Sequence, residues 1–591
     1  MLNVVPVAER PLPTTNPTYA DLLVDFIEQM GIEYVFGVPG GAIEPFYDAM
    51  ARSERRGGPK MITARHESGA AFMADGYYRE TGKMGVVCST TGPGATNLIT
   101  GVSSALADGI PMLVITAQTA LPKFGRRALQ DSSCSAMDTV SMLKQCTTYN
   151  TLISHPEQLQ GKLINAIMHA NRGAKGPVHL SVPSDLLRMT SEPSERFHVD
   201  LLTHNFTFVD FEAIETLCRK IDKVDTMAVY IDGRVQAASQ EVVRFCELTN
   251  TPFVVGLTGK YWVDETHPLY RGVYGFAGHL SAKSTLEAGV DLILAVGAEW
   301  DEMSTGGWDR LLLNTKLVHI DSDLEHFARS AMANLHVAGD IKATFMAVNR
   351  HVAEVTASGK VWRCCTPAET LQQNVHGGYA ELNEQEVCTA EPDNNAVKPQ
   401  QLMWHLTQTL NQDTRIFIDA GNIWSWMTHF YCNRSQSGLL RSGMGLGAMT
   451  WSLGSAIGSA LGDPSKSTIC IVGDGAYLMS AQEITVAQQH QLPIVFVVLN
   501  DSAYGMVMHG QQLGQAEEIG WQLSEVNYAQ VADAMGVRSL RVTSGAELAS
   551  LDLNALALKQ GPTLVDIIID RTQIPPMAQR VKGLAPKTPG G

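Results

Sequence analysis

The chain of 591 residues has no long apolar run, no clustered basic tract and few aromatic side chains, 7% in all. No stretch reaches the roughly 18 uncharged apolar residues that a membrane helix requires. The first residues, MLNVVPVAERPLPTTNPTY, lack an apolar core behind a basic start, so neither membrane spanning nor export is expected. Basic residues number 44 against 60 acidic ones, a formal net charge of −16, which argues against a nucleic-acid footprint and for solubility as the use of the acidity. The ten cysteines are scattered, and only Cys364 and Cys365 are adjacent. They have neither the paired spacing of zinc sites nor the density of a disulfide scaffold, so reduced thiols in the cytoplasm are expected.

What is present is ordinary globular composition, 45% hydrophobic and 18% charged, in a chain too long for one core. Short β-branched runs alternate with longer amphipathic ones, the pattern of parallel sheets covered by helices, and the fold class is therefore α/β with three domains. In the first domain, 16–190, strands are expected at Tyr34–Phe36, Gly85–Cys88, Met112–Ile115 and Val178–Val182, with helices over Ala20–Met30 and His66–Arg79. The middle domain, 205–350, has candidates at Ala228–Ile231, Phe253–Val255, Leu292–Val296 and Leu317–Ile320. A polar linker is expected over 351–397, and a third domain, 398–574, carries Ile416–Ile418, Thr468–Val472, Ile494–Leu499 and Leu564–Ile569. The Pro/Gly/Lys-rich tail 575–591 is expected to be mobile or to close over a site.

The sharpest chemical signal is an apolar strand running into Gly473-Asp474-Gly475, with a second strand ending at Asn500, 26 residues after Asp474. Parallel strands end on one sheet edge, where ligands bind, so Asp474 and Asn500 can meet. A carboxylate, an amide oxygen and a backbone carbonyl are hard donors suited to Mg2+, which completes its shell with phosphate oxygens and water. Glycines let backbone N–H groups approach a diphosphate, toward which the following helix, from about Ala476, points its N-terminus. A lone GDG is also how a turn after a buried strand reads; the spaced asparagine is what favours the ligand reading.

This arrangement resembles the signature of the thiamine diphosphate (ThDP) enzymes. The resemblance implies a metal held by Asp474, Asn500 and the Ser502 carbonyl. A second segment, Arg65-His66-Glu67 running on to Gly76-Tyr77, is similar to the glutamate segment of the acetohydroxyacid (acetolactate) synthase-like members. There the acid protonates the cofactor's aminopyrimidine ring, and Glu67 is the match; in isolation it could be only a charge favoured at a helix start. The glycine-rich run Gly443–Gly454 resembles the segment in which Met449 supports the bent cofactor and the Gly447 carbonyl binds its amino group. Further matches are Phe36–Ala42, Ser89–Asn97 and Asp419–Asn422, each of which alone could be a turn. The resemblance adds Gly421, Asn422, Gly473, Gly475, Ala476 and Met506 to the cofactor-binding set, and it covers roughly residues 18–572.

Resemblance to this carboligase group implies decarboxylation of a 2-oxo acid and addition of the product to a second carbonyl compound. Two departures point to a larger, less carboxylate-selective acceptor pocket: Met303 stands where the group has an arginine, and Gly510 where it has a tryptophan. Gln130, after Leu129, and His509 are the polar side chains expected to contact the acceptor; for His509 a non-catalytic histidine is an equal reading. A simple 2-oxo-acid decarboxylase, an FAD-dependent oxidase and a non-catalytic binding subunit are the alternatives. For the oxidase, the segments Gly275–Gly278 and Trp300–Gly306 would hold FAD. The resemblance also places the cofactor between the first domain of one chain and the third of another, which makes a homodimer, or a homotetramer, the expected assembly.

Overall fold

The computed structural model describes residues 17–192, 199–203, 207–364 and 395–577, so most of the expected linker and tail lie outside the described residues. Three six-stranded sheets, every pairing in them parallel, account for the α/β architecture. The first comprises β1 (Tyr34–Gly37), β2 (Lys60–Thr63), β3 (Gly85–Ser89), β4 (Met112–Gln118), β5 (Tyr149–Leu152) and β6 (Pro177–Pro183), in the order β2-β1-β3-β4-β6-β5. The middle sheet comprises β7 (Met227–Ile231), β8 (Phe253–Val255), β9 (Tyr270–Val273), β10 (Leu292–Val296), β11 (Leu317–Asp321) and β12 (Leu335–Ala338), in the order β12-β11-β10-β7-β8-β9. The third comprises β13 (Arg415–Ile418), β14 (Leu440–Arg441), β15 (Thr468–Gly473), β16 (Ile494–Asn500), β17 (Arg538–Val542) and β18 (Thr563–Ile568), in the order β14-β13-β15-β16-β18-β17. The first and third sheets thus share one topology. The middle sheet has instead the strand order of dinucleotide-binding folds, read from the opposite edge.

The inner strands are buried on both faces, as in β4 and β6, where all seven residues are inaccessible. Covering helices follow local signals. The helix Tyr19–Gln29 starts at Thr18, whose side chain and that of Asp21 cap one another's backbone, and it buries Leu22, Leu23, Phe26 and Ile27 on one stripe. By contacts the chain divides into two units, 1–74 with 82–204, and Asp75–Thr81 with 205–591.

The linker does not begin at 351. The helix Ile341–Ala357 runs through that point because its apolar stripe, Phe345, Val348 and Val352, continues past it. Trp362 then joins the middle-domain core and donates its Nε1–H to the Ile221 carbonyl at 3.1 Å. At the far side Val397 is already buried and bonded through its N–H to the Ile568 carbonyl at 3.0 Å, so it belongs to the third sheet.

Inside the second unit, Asp75–Thr81 form the last turns of the helix Glu67–Thr81. Glu80 is buried against Arg441 at 2.7 Å, Lys466 at 3.0 Å and Arg415 at 3.3 Å. Burial alone would raise the Glu80 carboxyl, yet Arg441 and Arg415 hold it at about 2. Gly76 passes so close to the Ser455 carbonyl that a Cβ would lie 1.9 Å from it. Only glycine allows that approach.

Candidate active site

Two groups of the expected residues form, one in each contact unit. In the first, Glu67 opens its helix, is buried, and accepts at Oε2 a hydrogen bond from Asn97 Nδ2 at 2.9 Å. Gly94, in the loop after β3, lies so that a Cβ there would be 3.3 Å from Glu67 Oε1. Gln130 is exposed, at φ 53°, and reaches the same loop: its Oε1 is 3.5 Å from Thr91 Oγ1, and its backbone O accepts from Ser132 Oγ, which in turn accepts from the Gly92 N–H at 2.6 Å. Glu67 and Gln130 therefore share one loop environment. Asn97, the residue that holds the glutamate, stands in the quoted Ser89–Asn97 motif, which was its signal.

In the second unit the ends of β15 and β16 converge. Asp474 is 1% exposed; its Oδ1 accepts from the Gly475 N–H and its Oδ2 from the Ser502 N–H, each at 2.8 Å. Asn500 donates both amide protons, to Val526 O at 3.0 Å and Asp566 Oδ1 at 2.9 Å. That fixes its orientation and leaves Oδ1 as the atom available to a cation. The Ser502 carbonyl accepts from the Leu523 N–H at 2.9 Å, which uses one of its two lone pairs. Asp501, which the sequence reading passed over, is hydrogen-bonded to Asp474, and burial raises both carboxyls, each adding to the other's environment. Asp566 was missed as well, although a carboxylate inside the apolar run of β18 is its own signal.

The remaining loops gather on these strand ends. A Cβ on Gly505 would lie 2.7 Å from Asp501 Oδ2 and 2.8 Å from Asn422 Nδ2, so the Gly421-Asn422 turn and the Asn500-Asp501 turn are in van der Waals reach. A Cβ on Gly475 would collide with the Tyr504 ring at 2.7 Å, whereas Gly473, at φ −73°, has nothing within 4 Å of a Cβ. Ala476 is buried in the helix Asp474–Ser480, and Met506 packs against the third-domain core. Gly447, at φ 68°, faces the Trp424 ring; Met449 is half-buried and precedes Thr450. His509 is buried, its Nδ1 3.0 Å from Asn422 Nδ2 and its Nε2 3.0 Å from the Arg571 carbonyl. Both ring nitrogens are engaged: Nε2 carries the proton donated to the carbonyl, and burial lowers the ring below its ordinary value. This geometry makes His509 a brace on Asn422.

Models of thiamine pyrophosphate enzymes match three stretches of the chain: the N-terminal TPP binding domain over residues 17–142, the central domain over 214–348 and the C-terminal TPP binding domain over 419–567. The chain belongs to the thiamine pyrophosphate enzyme family. Among the relatives of this thiamine pyrophosphate enzyme, a probable acetolactate synthase large subunit of Methanocaldococcus jannaschii is 29% identical over 575 residues, covering 94% of this chain and 93% of that one. The acetolactate synthase isozyme 2 large subunit of Escherichia coli K12 is 29% identical over 558 residues, covering 94% and 96%. The chloroplastic acetolactate synthase of Arabidopsis thaliana is 29% identical over 571 residues, covering 93% and 81%.

The residues of this enzyme fit a magnesium diphosphate. Among the described residues no set of three or more His, Cys, Asp or Glu side chains is arranged for a metal. Asp474, the uncommitted Asn500 Oδ1 and the Ser502 carbonyl are mixed oxygen donors of the kind that suits Mg2+ with a diphosphate. The carboxyl pair of buried Asp474 and half-buried Asp501 favours such a cation. Flavin fits less well. β7 runs into Asp232-Gly233-Arg234, a turn with one glycine, and Arg234 is already paired with Glu299 at 3.5 Å, Asp321 at 3.6 Å and Asp323 at 3.8 Å. A dinucleotide's diphosphate would meet those carboxylates. The segments expected to line FAD are packed on one another, Phe276 N–H donating to the Met303 carbonyl at 2.7 Å and a Cβ on Gly275 falling 2.2 Å from the same oxygen.

Proposed function

We propose that this protein, holding ThDP with Mg2+, removes CO2 from a 2-oxo acid and joins the remaining acyl unit to the carbonyl carbon of a second compound. The observation that carries this reading is the pairing of buried Asp474 with half-buried Asp501, beside an Asn500 whose Oδ1 alone is left uncommitted. In this reading Asp474, Asn500 Oδ1 and the Ser502 carbonyl hold the metal. Backbone at Gly421, Asn422, Gly473, Gly475 and Ala476 receives the diphosphate, and the Gly447 carbonyl, Met449 and Met506 receive the rings. Bound ThDP supplies an electron sink beside the substrate carbonyl. Glu67, oriented by Asn97, holds a proton at its carboxyl for the aminopyrimidine ring. One C–C bond breaks with loss of CO2, one C–C bond forms, and the proton taken up ends on the new hydroxyl, so no oxidant is needed.

A roomy acceptor side is supported by Gly510, where a Cβ would meet nothing within 4 Å, and by the thioether of Met303 in place of a cation. Gln130 is the polar side chain assigned to the acceptor. As the resemblance to the carboligase group implies, we assign Glu67 of one copy to the cradle of another, with a homodimer as the smallest active form and a homotetramer as its pairing. Dilution below the dimer dissociation constant should abolish activity; a fully active monomer contradicts the assignment.

Incubation with ThDP, Mg2+ and 2-oxo acids, singly and in pairs, followed by mass spectrometry, should yield CO2 and 2-hydroxy ketones. Hydrogen peroxide or acid products in place of ketones would point to the oxidase, and aldehydes alone to the simple decarboxylase. Glu67→Gln should slow exchange of the C2 proton of bound ThDP by about 100-fold. Exchange as fast as in the parent removes Glu67 from this role.

A further inference from the structure

Asp419 follows β13 and is completely buried, yet among the described residues no ion pair offsets it. Apart from the adjacent Ala420 N–H, its partners are donors on one distant segment. Oδ1 accepts from the Thr450 N–H at 2.8 Å, and Oδ2 accepts from the Ser452 N–H at 2.9 Å and from Ser452 Oγ at 2.7 Å. These hydrogen bonds onto its two oxygens favour the ionised carboxylate. Burial raises the group to about 6, while these hydrogen bonds oppose the rise.

Thr450 itself sits at φ 78°, ψ −5°, in the left-handed region. A β-branched residue there is a genuine outlier and stays only when its surroundings over-determine it. Thr450 is also the N-cap of the helix Trp451–Gly462, and its side chain makes no capping bond. The remote Asp419 supplies the cap in its place by accepting from Ser452, the second residue of that helix. One carboxylate therefore ties together the Asp419–Asn422 turn and the loop that ends in Gly447, Ala448 and Met449. Gly443 anchors the other end of that loop, where a Cβ would lie 2.8 Å from the Trp451 ring.

We propose that Asp419 is a positioning residue: its carboxylate holds Thr450 in the left-handed conformation that sets the Gly447–Met449 backbone for the cofactor. The inference rests on the reading of those residues as cofactor-binding. A carboxylate that merely capped a helix would stabilise the fold and leave cofactor affinity alone.

The test is the dissociation constant for ThDP at saturating Mg2+, by calorimetry, on the full chain, with far-ultraviolet circular dichroism as the control for folding. Asp419→Asn, which can accept from Thr450 or from Ser452 but not from both, should bind ThDP about tenfold more weakly. Adding Thr450→Gly, which takes φ 78° without help, should bring the double variant back to within about threefold of the parent. If Asp419→Asn does not fold, Thr450→Pro replaces it, since proline cannot take a positive φ and offers Asp419 no N–H. It should lose more than about tenfold in ThDP affinity. Asp419→Asn or Thr450→Pro binding as tightly as the parent, or a double variant no better than Asp419→Asn, overturns the inference and leaves the proposed function standing. A parent that binds no ThDP overturns both.

Discussion

One acidic cluster at the carboxyl edge of the middle sheet and one at that of the third treat their charge in opposite ways. At the middle sheet Arg234 stands among Glu299, Asp321 and Asp323, and burial of Asp321, which alone would raise it, is outweighed by His319, His326 and Arg234, so its carboxyl lies well below the usual range. At the third sheet Asp474 and Asp501 face one another and both lie above that range, burial being the main cause. Buried charge without a partner is costly, so a fold that keeps such a pair either protonates it or brings in a cation from outside. The difference separates a cluster closed by its own side chains from one that, in the proposed function, a ligand completes.

The comparison breaks most visibly at the internally closed charges. Glu80→Gln leaves Arg415 and Arg441 buried without their anion and should destabilise the protein by about 3–5 kcal/mol, read from the urea midpoint. Its contribution is present above the ordinary carboxyl value of 4.5 and lost as the pH falls through about 2. At the open edge, Asp474→Asn should cost little stability and weaken Mg2+-dependent ThDP binding by about 100-fold, measured by calorimetry. Unchanged affinity would make the two edges alike.

The pH dependence sharpens the contrast further. Between the ordinary value of 3.8 and the raised ones, the folded metal-free protein holds protons that the unfolded chain has released. The stability contributed by the pair is therefore full below 3.8 and falls as the pH rises through the raised values. Urea midpoints taken across the neutral range should decline in chelator and level off with Mg2+ and ThDP; parallel curves would contradict the ligand role. The smallest effect is expected of Arg234→Met. Its pairs are 3.5–3.8 Å long and the arginine is 27% exposed, so about 1 kcal/mol of stability should be lost, with ThDP affinity unchanged.

The twelve strands expected from apolar runs are the four inner strands of each sheet, and the six that escaped are the edge strands: β2, β5, β9, β12, β14 and β17. Inner strands of parallel sheets are covered on both faces and read as continuous hydrophobic runs. Edge strands need no such run: Lys60–Thr63 has one buried residue, Tyr149–Leu152 none, and Arg538–Val542 exposes three of five. The different order of the middle sheet was not legible at all, because its strands have the same composition as the others and order is set by crossovers. At the candidate site, spacing alone brought Asp474 and Asn500 to one edge. What spacing could not reveal were the residues that hold others in place across long stretches of chain: Asp566 on Asn500, Asn97 on Glu67 and Asp419 on Thr450.

Gly473 and Gly475 differ in a way that turns the cradle into a genetic reporter. In a saturation library, every substitution at 475 is expected to drop out with misfolded protein, since the Tyr504 ring occupies the space a side chain would need. Alanine at 473 has open space and an ordinary backbone conformation, so its transcript should yield abundant, folded protein. Depletion of that one codon under nutritional selection, at undiminished expression, would register the approach of a ligand to the main chain rather than a flaw in the fold.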